Sequence, residues 1–94
     1  MEKLGIIGCG TMGHSIALSA AWAGLSVKLY GISRSETGKA EAAMTGKLKV
    51  LNEYGLFESE SIDAIKGRIS VTDSIDEVAA VSSFIIEAVP EDIN

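Results

Sequence analysis

A single cysteine, Cys9, stands in these 94 residues, so no internal disulfide can form; the lone thiol agrees with a reducing compartment and places the chain in the cytoplasm by expectation. No run of about 18 apolar residues is present, and no basic segment followed by an apolar stretch opens the chain. Neither a membrane span nor a secretory leader is therefore expected. Basic residues are few, 8 Lys and Arg against 13 Asp and Glu, and they are scattered. The resulting net charge of −5 argues against a nucleic-acid footprint or an anionic membrane surface as partner. Proline is confined to Pro90 and histidine to His14, so helices and strands are free to run, and no Ser/His/Asp set or metal cluster can be assembled around the one imidazole. What is abundant is apolar: 47% of residues are hydrophobic, enough for one globular domain of modest stability.

Glycine is also plentiful, and three glycines carry the reading. Leu4-Gly-Ile-Ile-Gly-Cys-Gly-Thr-Met-Gly-His14 holds a G-x-G-x-x-G at Gly8, Gly10 and Gly13, following an apolar run and opening an apolar helix. Gly8 lets the chain leave the strand in a tight turn, and Gly10 leaves room for a pyrophosphate to approach the backbone. Gly13 lets the helix pack close to the strand. Free N–H groups at the helix start, with the positive end of its dipole, then favour an anion.

Downstream, Lys3 to Ile7 reads as a strand buried on both faces and Met12 to Ala23 as a helix apolar almost all round, ended by Gly24. Val27 to Tyr30 is a second strand. From Ser35 the residues Ala40, Ala43, Met44, Leu48, Leu51 and Tyr54 recur at helical spacing, up to a stop at Gly55. Ser59 is expected to cap a shorter helix through Ile65 that Gly67 closes, and Arg68 to Thr72 is a third strand. Ser74-Ile-Asp-Glu77 is a capping box for a helix toward Val81, and Ser83 to Val89 is a fourth strand stopped by Pro90. Alternating strands and helices give an α/β fold: a Rossmann-type parallel sheet in the order 3-2-1-4, with a helical pair inserted between strands 2 and 3.

These residues resemble the amino-terminal part of the 3-hydroxyacyl-CoA dehydrogenase family, from Lys3 to Asn94. The likeness rests on Gly-x-Gly-Thr-Met-Gly-x-x-Ile-Ala from Gly8 to Ala17, on the long helical pair ending in Gly55-Leu-Phe57 before Arg68-Ile69, and on Ile85-Ile-Glu-Ala-Val-Pro-Glu91. It is closer than the likeness to 6-phosphogluconate or lactate dehydrogenases. The resemblance implies hydride transfer between NAD and the 3-hydroxyl carbon of an acyl-CoA. The backbone of Gly8, Gly10, Thr11, Met12 and Gly13 would hold the pyrophosphate, Ala88 and Val89 would pass beside the nicotinamide ribose, and Glu91 would hydrogen-bond near it. It also implies that the catalytic histidine and glutamate, the remaining strands and an all-helical dimerising domain lie further along. Residues 1–94 are thus expected to be part of a dinucleotide-binding domain that binds coenzyme without turnover, because a hydride leaves only if a base takes the hydroxyl proton. The parent is expected to be a homo-oligomer. Within the chain, the orphaned edge of the fourth strand is expected to drive self-association.

One position departs from the family pattern. Where the resemblance implies an aspartate on the adenosine ribose, eighteen residues past Gly13, stands Gly31. The residues that follow, Ile32-Ser33-Arg34-Ser35, offer hydroxyls and a guanidinium to a phosphate, so the site is expected to tolerate or prefer NADP(H) over the family's NAD; Arg34 reads equally well as an exposed surface charge. Other residues receive plainer readings. Cys9 is a small filler without a redox role, His14 a surface imidazole, Trp22 and Met44 core packing, and Lys47 and Lys49 solvated lysines. Glu87 and Glu91 do not form an acid/base pair. Two further functional classes stay open: a nucleotide-sensing module, and a pseudo-enzyme retained for assembly. The sequence beyond Asn94 separates the enzyme from both, and failure to bind nucleotide would favour the last.

Overall fold

The structure, a computed structural model, describes residues 3–55 and 59–88. Its elements run β1 (Lys3–Ile7), α1 (Thr11–Trp22), β2 (Ser26–Tyr30), α2 (Arg34–Glu53), α3 (Ser59–Gly67), β3 (Ile69–Thr72), α4 (Ile75–Val81) and β4 (Phe84–Glu87). All pairings are parallel and the order is β3-β2-β1-β4, as expected from the alternation of strands and helices. Parallel neighbours need crossovers, and the chain supplies a helix for each.

The core lies between the sheet and the helices α1, α2 and α3. Ile6, Val27 and Leu29 meet Ala17, Leu18 and Ala21 of α1, Ala40, Met44 and Leu48 of α2, and Ile65 of α3. Three of the predicted apolar positions of α2 are thus buried, with Ala43 and Leu51 partly so, whereas Tyr54, the residue that caps the helix's carboxyl end, is exposed. The opposite face is covered by α4. A Cβ on Gly5 would lie 2.3 Å from Ser82 Oγ and 2.7 Å from Val78 Cγ1, so the central strand must be bare there for α4 to pack.

Local signals explain where the helices end. At the end of α1 the Leu25 N–H donates to Ala20 O and the Gly24 N–H to Ala21 O, both at 3.0 Å, with Gly24 at φ 102°. This left-handed glycine turn satisfies carbonyls that the helix leaves open. Gly55, at φ 73°, does the same after α2. Arg68, expected as the first residue of the third strand, instead sits just before it and donates from Nη1 to Ala21 O at 2.8 Å, a further cap on α1. Ser74 caps α4 as the box predicts, its Oγ accepting the Glu77 N–H at 3.4 Å. The helix α3 begins at Ser59, but residues 56–58 and with them Leu56 and Phe57 lie outside the described residues.

One expectation about packing needs correction. Trp22, expected in the core, is 47% exposed and stands with Leu18, Val50 and Leu51 along an open apolar groove between α1 and α2. Because α1 is apolar all round, periodicity does not tell which stripe is buried. The sheet selects Gly13, Ala17, Leu18 and Ala21, and Trp22 falls one position past it. The fourth strand lies at the edge of the sheet, as expected. Phe84, Ile85 and Ile86 are 59%, 48% and 38% exposed, because β4 is an edge strand paired only with β1 among the described residues. No helix among the described residues is long and apolar enough to cross a membrane.

Candidate functional site

The carboxyl ends of β2, β1 and β4 converge on the start of α1. The Gly8 N–H donates to Tyr30 O at 3.0 Å and the Ala88 N–H to Ile7 O at 2.8 Å, so the sheet ladder continues into the loops that follow each strand. Gly8 turns the chain at φ 108°, a conformation that a side chain opposes. Gly13 then lies so close that a Cβ would stand 1.7 Å from Gly8 O and 3.7 Å from Ala88 Cβ. Gly10 has the contrary surroundings, with nothing within 4 Å of where its Cβ would be. The three glycines therefore divide their tasks as the motif predicts: turn, open floor and close packing.

Gly10 is also the N-cap of α1. No side chain caps this helix and no acid stands in its first turn. The chain treats its other described N-termini differently: Ser33 and Glu36 serve α2, and Ser74, Asp76 and Glu77 serve α4. Carboxylates and serine oxygens normally satisfy the leading N–H groups of a helix. Here no side chain among the described residues takes the N–H groups of Thr11, Met12 and Gly13, which have the positive end of the dipole behind them. The side chains of Thr11 and Met12 are exposed and do not close the approach. An anionic diphosphate fits this cradle: bare main chain below it, donors in front of it and no carboxylate to repel it.

A cleft of ≈ 280 Å³ opens beside the cradle, lined by Cys9, Gly10, Thr11 and His14 on one side and by Glu36, Lys39, Ala40 and Ala43 of α2 on the other. His14 is not the surface imidazole that its place in the first helical turn suggested. It is 6% exposed, with Nδ1 3.2 Å from Cys9 O and Nε2 2.8 Å from Lys47 Nζ. A lysine ammonium only donates, so Nε2 is the accepting nitrogen and Nδ1 carries the hydrogen that goes to Cys9 O. Lys47 is correspondingly not a free solvated lysine, since it also donates to Ser15 Oγ at 2.9 Å and ties α1 to α2. Lys49 is exposed as expected, and Met44 is buried as expected. The helical pair thus meets α1 through a polar cluster that no sequence motif marks, because its members lie 33 residues apart.

Gly31 follows β2, its N–H donating to Thr72 O at 3.0 Å. A Cβ at this position would lie 2.6 Å from Cys9 Sγ and 2.8 Å from Thr37 Cγ2. Cys9 therefore does more than occupy a permissive position in the glycine turn: its sulfur fills the space over Gly31. Burial first, then the nearby Glu36 carboxylate, push the thiol's pKa up, against a smaller opposing contribution from a backbone hydrogen bond. That is the opposite of what a reactive thiolate at a helix start requires. Ser33 also has a structural task, its Oγ accepting the Glu36 N–H at 3.2 Å, while Glu36 Oε2 accepts the Ile32 N–H at 3.2 Å. The Ser33-Arg-Ser-Glu36 spacing is the sequence signal for this capping pair. Arg34 is exposed at the start of α2, and Ala88 is buried against Gly13. Val89 and Glu91 lie outside the described residues.

Comparison with known proteins agrees with this arrangement. Residues 3–94 match the family model described as 3-hydroxyacyl-CoA dehydrogenase, NAD binding domain. A curated relative, 5-formyl-3-hydroxy-2-methylpyridine 4-carboxylate 5-dehydrogenase of Mesorhizobium japonicum, is 30% identical over 95 residues, covering 100% of this chain and 29% of that protein. Among solved structures, an (S)-3-hydroxybutyryl-CoA dehydrogenase from Ralstonia eutropha superposes with a TM-score of 0.92 at 30% identity, over 99% of this chain and 32% of that one. A 3-hydroxybutyryl-CoA dehydrogenase from Escherichia coli K12 gives 0.88 at 31% identity, over 96% and 19%. The chain spans less than a third of the length of these relatives. It belongs to the 3-hydroxyacyl-CoA dehydrogenase family, and residues 3–94 correspond to that family's NAD-binding domain.

Proposed function

We propose that this chain is the coenzyme-holding part of an NAD(P)-dependent oxidoreductase that moves a hydride to or from the 3-position of an acyl-CoA or a related 3-hydroxy acid. The observation that carries the reading is the uncapped start of α1, set at the carboxyl ends of three parallel strands with open space over Gly10. The main-chain N–H groups from Thr11 to Gly13 would hold the pyrophosphate, and Ala88 and Val89 would pass along the nicotinamide ribose, with Glu91 beside it. The bound dinucleotide supplies the hydride chemistry; the chain orients it and keeps water from its buried side. Proton transfer falls to residues elsewhere in the parent. His14 is held between Cys9 O and Lys47 and faces α2, which leaves it no path to a substrate beside Ala88. Residues 1–94 are thus read as part of a dinucleotide-binding domain, working in the reducing cytoplasm where Cys9 remains a thiol.

With glycine at the end of β2 and the Arg34 guanidinium free to grip a phosphate, NADP(H) is accepted alongside NAD(H). Calorimetric titration tests both parts of the reading. NADH is expected to bind, NADPH to follow within about tenfold, and Arg34→Ala to weaken NADPH about threefold or more while leaving NADH unchanged. Binding of neither nucleotide rejects the coenzyme reading, and equal losses for both nucleotides reject the role of Arg34.

The same reading makes the chain self-associating. The outer edge of β4 has no partner strand among the described residues and lies beside the exposed Phe84, Ile85 and Ile86. Sedimentation is expected to show dimers or larger species at about 100 μM, an order of magnitude set by weak edge contacts, and Ile86→Lys is expected to return the monomer. A wild-type monomer throughout the concentration series contradicts the proposal.

A further inference from the structure

We infer that Glu36, from the first turn of α2, supplies the carboxylate that reads the adenosine ribose of the coenzyme, a task for which the end of β2 offers only Gly31. The inference rests on the dinucleotide reading above and adds the residue that sets coenzyme preference.

Four observations support it. Packing leaves no place for an acid at position 31: its Cβ would collide with Cys9 Sγ at 2.6 Å and Thr37 Cγ2 at 2.8 Å. Glu36 lines the same cleft as Cys9 and Gly10, so its carboxylate stands on the wall next to the pyrophosphate cradle. It is aimed at the loop after β2, because Oε2 accepts the N–H of Ile32, the residue directly after Gly31. The carboxylate is also electrically close to the glycine turn, since it raises the pKa of the Cys9 thiol. A carboxylate has about four acceptor sites, and the Ile32 N–H takes one of them. The rest suffice for two vicinal ribose hydroxyls.

The charges around the cleft then give a definite preference. Lys39 is the cation on the cleft wall and Arg34 is exposed at the start of α2, so a 2′-phosphate has positive groups to draw on; Glu36 is the negative group lining the cleft. Ribose hydroxyls gain charge-assisted hydrogen bonds from Glu36, whereas a phosphate gains repulsion. The wild-type site accordingly favours NADH over NADPH, and that margin resides in one side chain six residues past the end of the strand. Position 36 escapes the usual search because it lies on the helix after the loop, where its spacing from Ser33 reads only as a cap.

Glu36→Gln tests the inference with little structural change. The Glu36 N–H still reaches Ser33 Oγ, and the amide oxygen can still accept from Ile32. NADH and NADPH are titrated into wild type and variant, with thermal melts as a control on folding. In the variant NADH is expected to weaken about threefold and NADPH to tighten about threefold, so the ratio moves about tenfold in favour of NADPH. A purely structural role would weaken both nucleotides together and leave their ratio unchanged, and that result overturns the inference. If wild type binds neither nucleotide, the dinucleotide reading itself falls. If wild type binds NADH and the ratio does not move in Glu36→Gln, only the role of Glu36 falls.

Discussion

Gly13→Ala is expected to unfold the chain or to lower its melting temperature by more than about 12 °C, the shift that about 3 kcal/mol produces in a domain of this size. The added methyl would stand 1.7 Å from Gly8 O and 2.8 Å from Gly8 C, and both are backbone atoms of a turn fixed by its own hydrogen bond to Tyr30 O. No rotamer change relieves such a contact. Either α1 moves off the end of β1 or the turn opens, and each movement uncovers Ile6, Ala17 and Leu29. Gly10→Ala is the matched control, three residues away in the same motif. Nothing lies within 4 Å of its Cβ and its φ of −65° suits any residue, so only the N-cap preference is lost, about 1 kcal/mol or less. That variant is expected to melt within about 5 °C of wild type and yet to bind NADH at least about tenfold more weakly, because the methyl rises into the approach of the pyrophosphate. Circular dichroism melts and a nucleotide titration on both variants check the split. A Gly13→Ala protein as stable as wild type, or a Gly10→Ala protein that binds as well, contradicts this division of labour.

The two glycines also show what is legible in sequence. The G-x-G-x-x-G pattern gives the turn, the strand before it and the helix after it, since only glycine meets the three steric demands. The alternation of strands and helices gives the sheet order, because parallel neighbours joined by right-handed crossovers leave few topologies. The capping box at Ser74 and the left-handed glycines Gly24 and Gly55 give helix ends, each being a local contact within a few residues. What is not legible depends on contacts between distant segments. His14 belongs to a buried cluster only because Lys47 reaches it across the α1–α2 interface. Trp22 stays at the surface because a helix apolar on every side carries no record of which stripe meets the sheet. Cys9 and Gly31, 22 residues apart, look like independent choices until the structure puts a sulfur where a Cβ would be.

That last contact supports the second large prediction. Gly31→Asp, the substitution that the family pattern recommends, is expected to cost about 2 kcal/mol of stability and not to improve NADH binding. The backbone there is not in the left-handed region, so the cost is wholly steric: Cys9 Sγ at 2.6 Å and Thr37 Cγ2 at 2.8 Å. Neither atom moves freely. Cys9 is buried beside the glycine turn, and Thr37 Oγ1 donates to Arg34 O at 3.1 Å, which fixes the methyl in place. Cys9→Ala and Thr37→Ser remove the two atoms while keeping the Thr37 hydroxyl's bond, so in that double-variant background Gly31→Asp is expected to cost less than about 0.5 kcal/mol. The coupling of about 1.5 kcal/mol between position 31 and its two neighbours is then a measurement of shared space. Denaturant titrations on wild type, Gly31→Asp, the double variant and the triple variant supply it. Additive costs across the four proteins would mean that the cysteine and the glycine are unrelated, and that the acid is missing from the end of β2 for a reason other than packing.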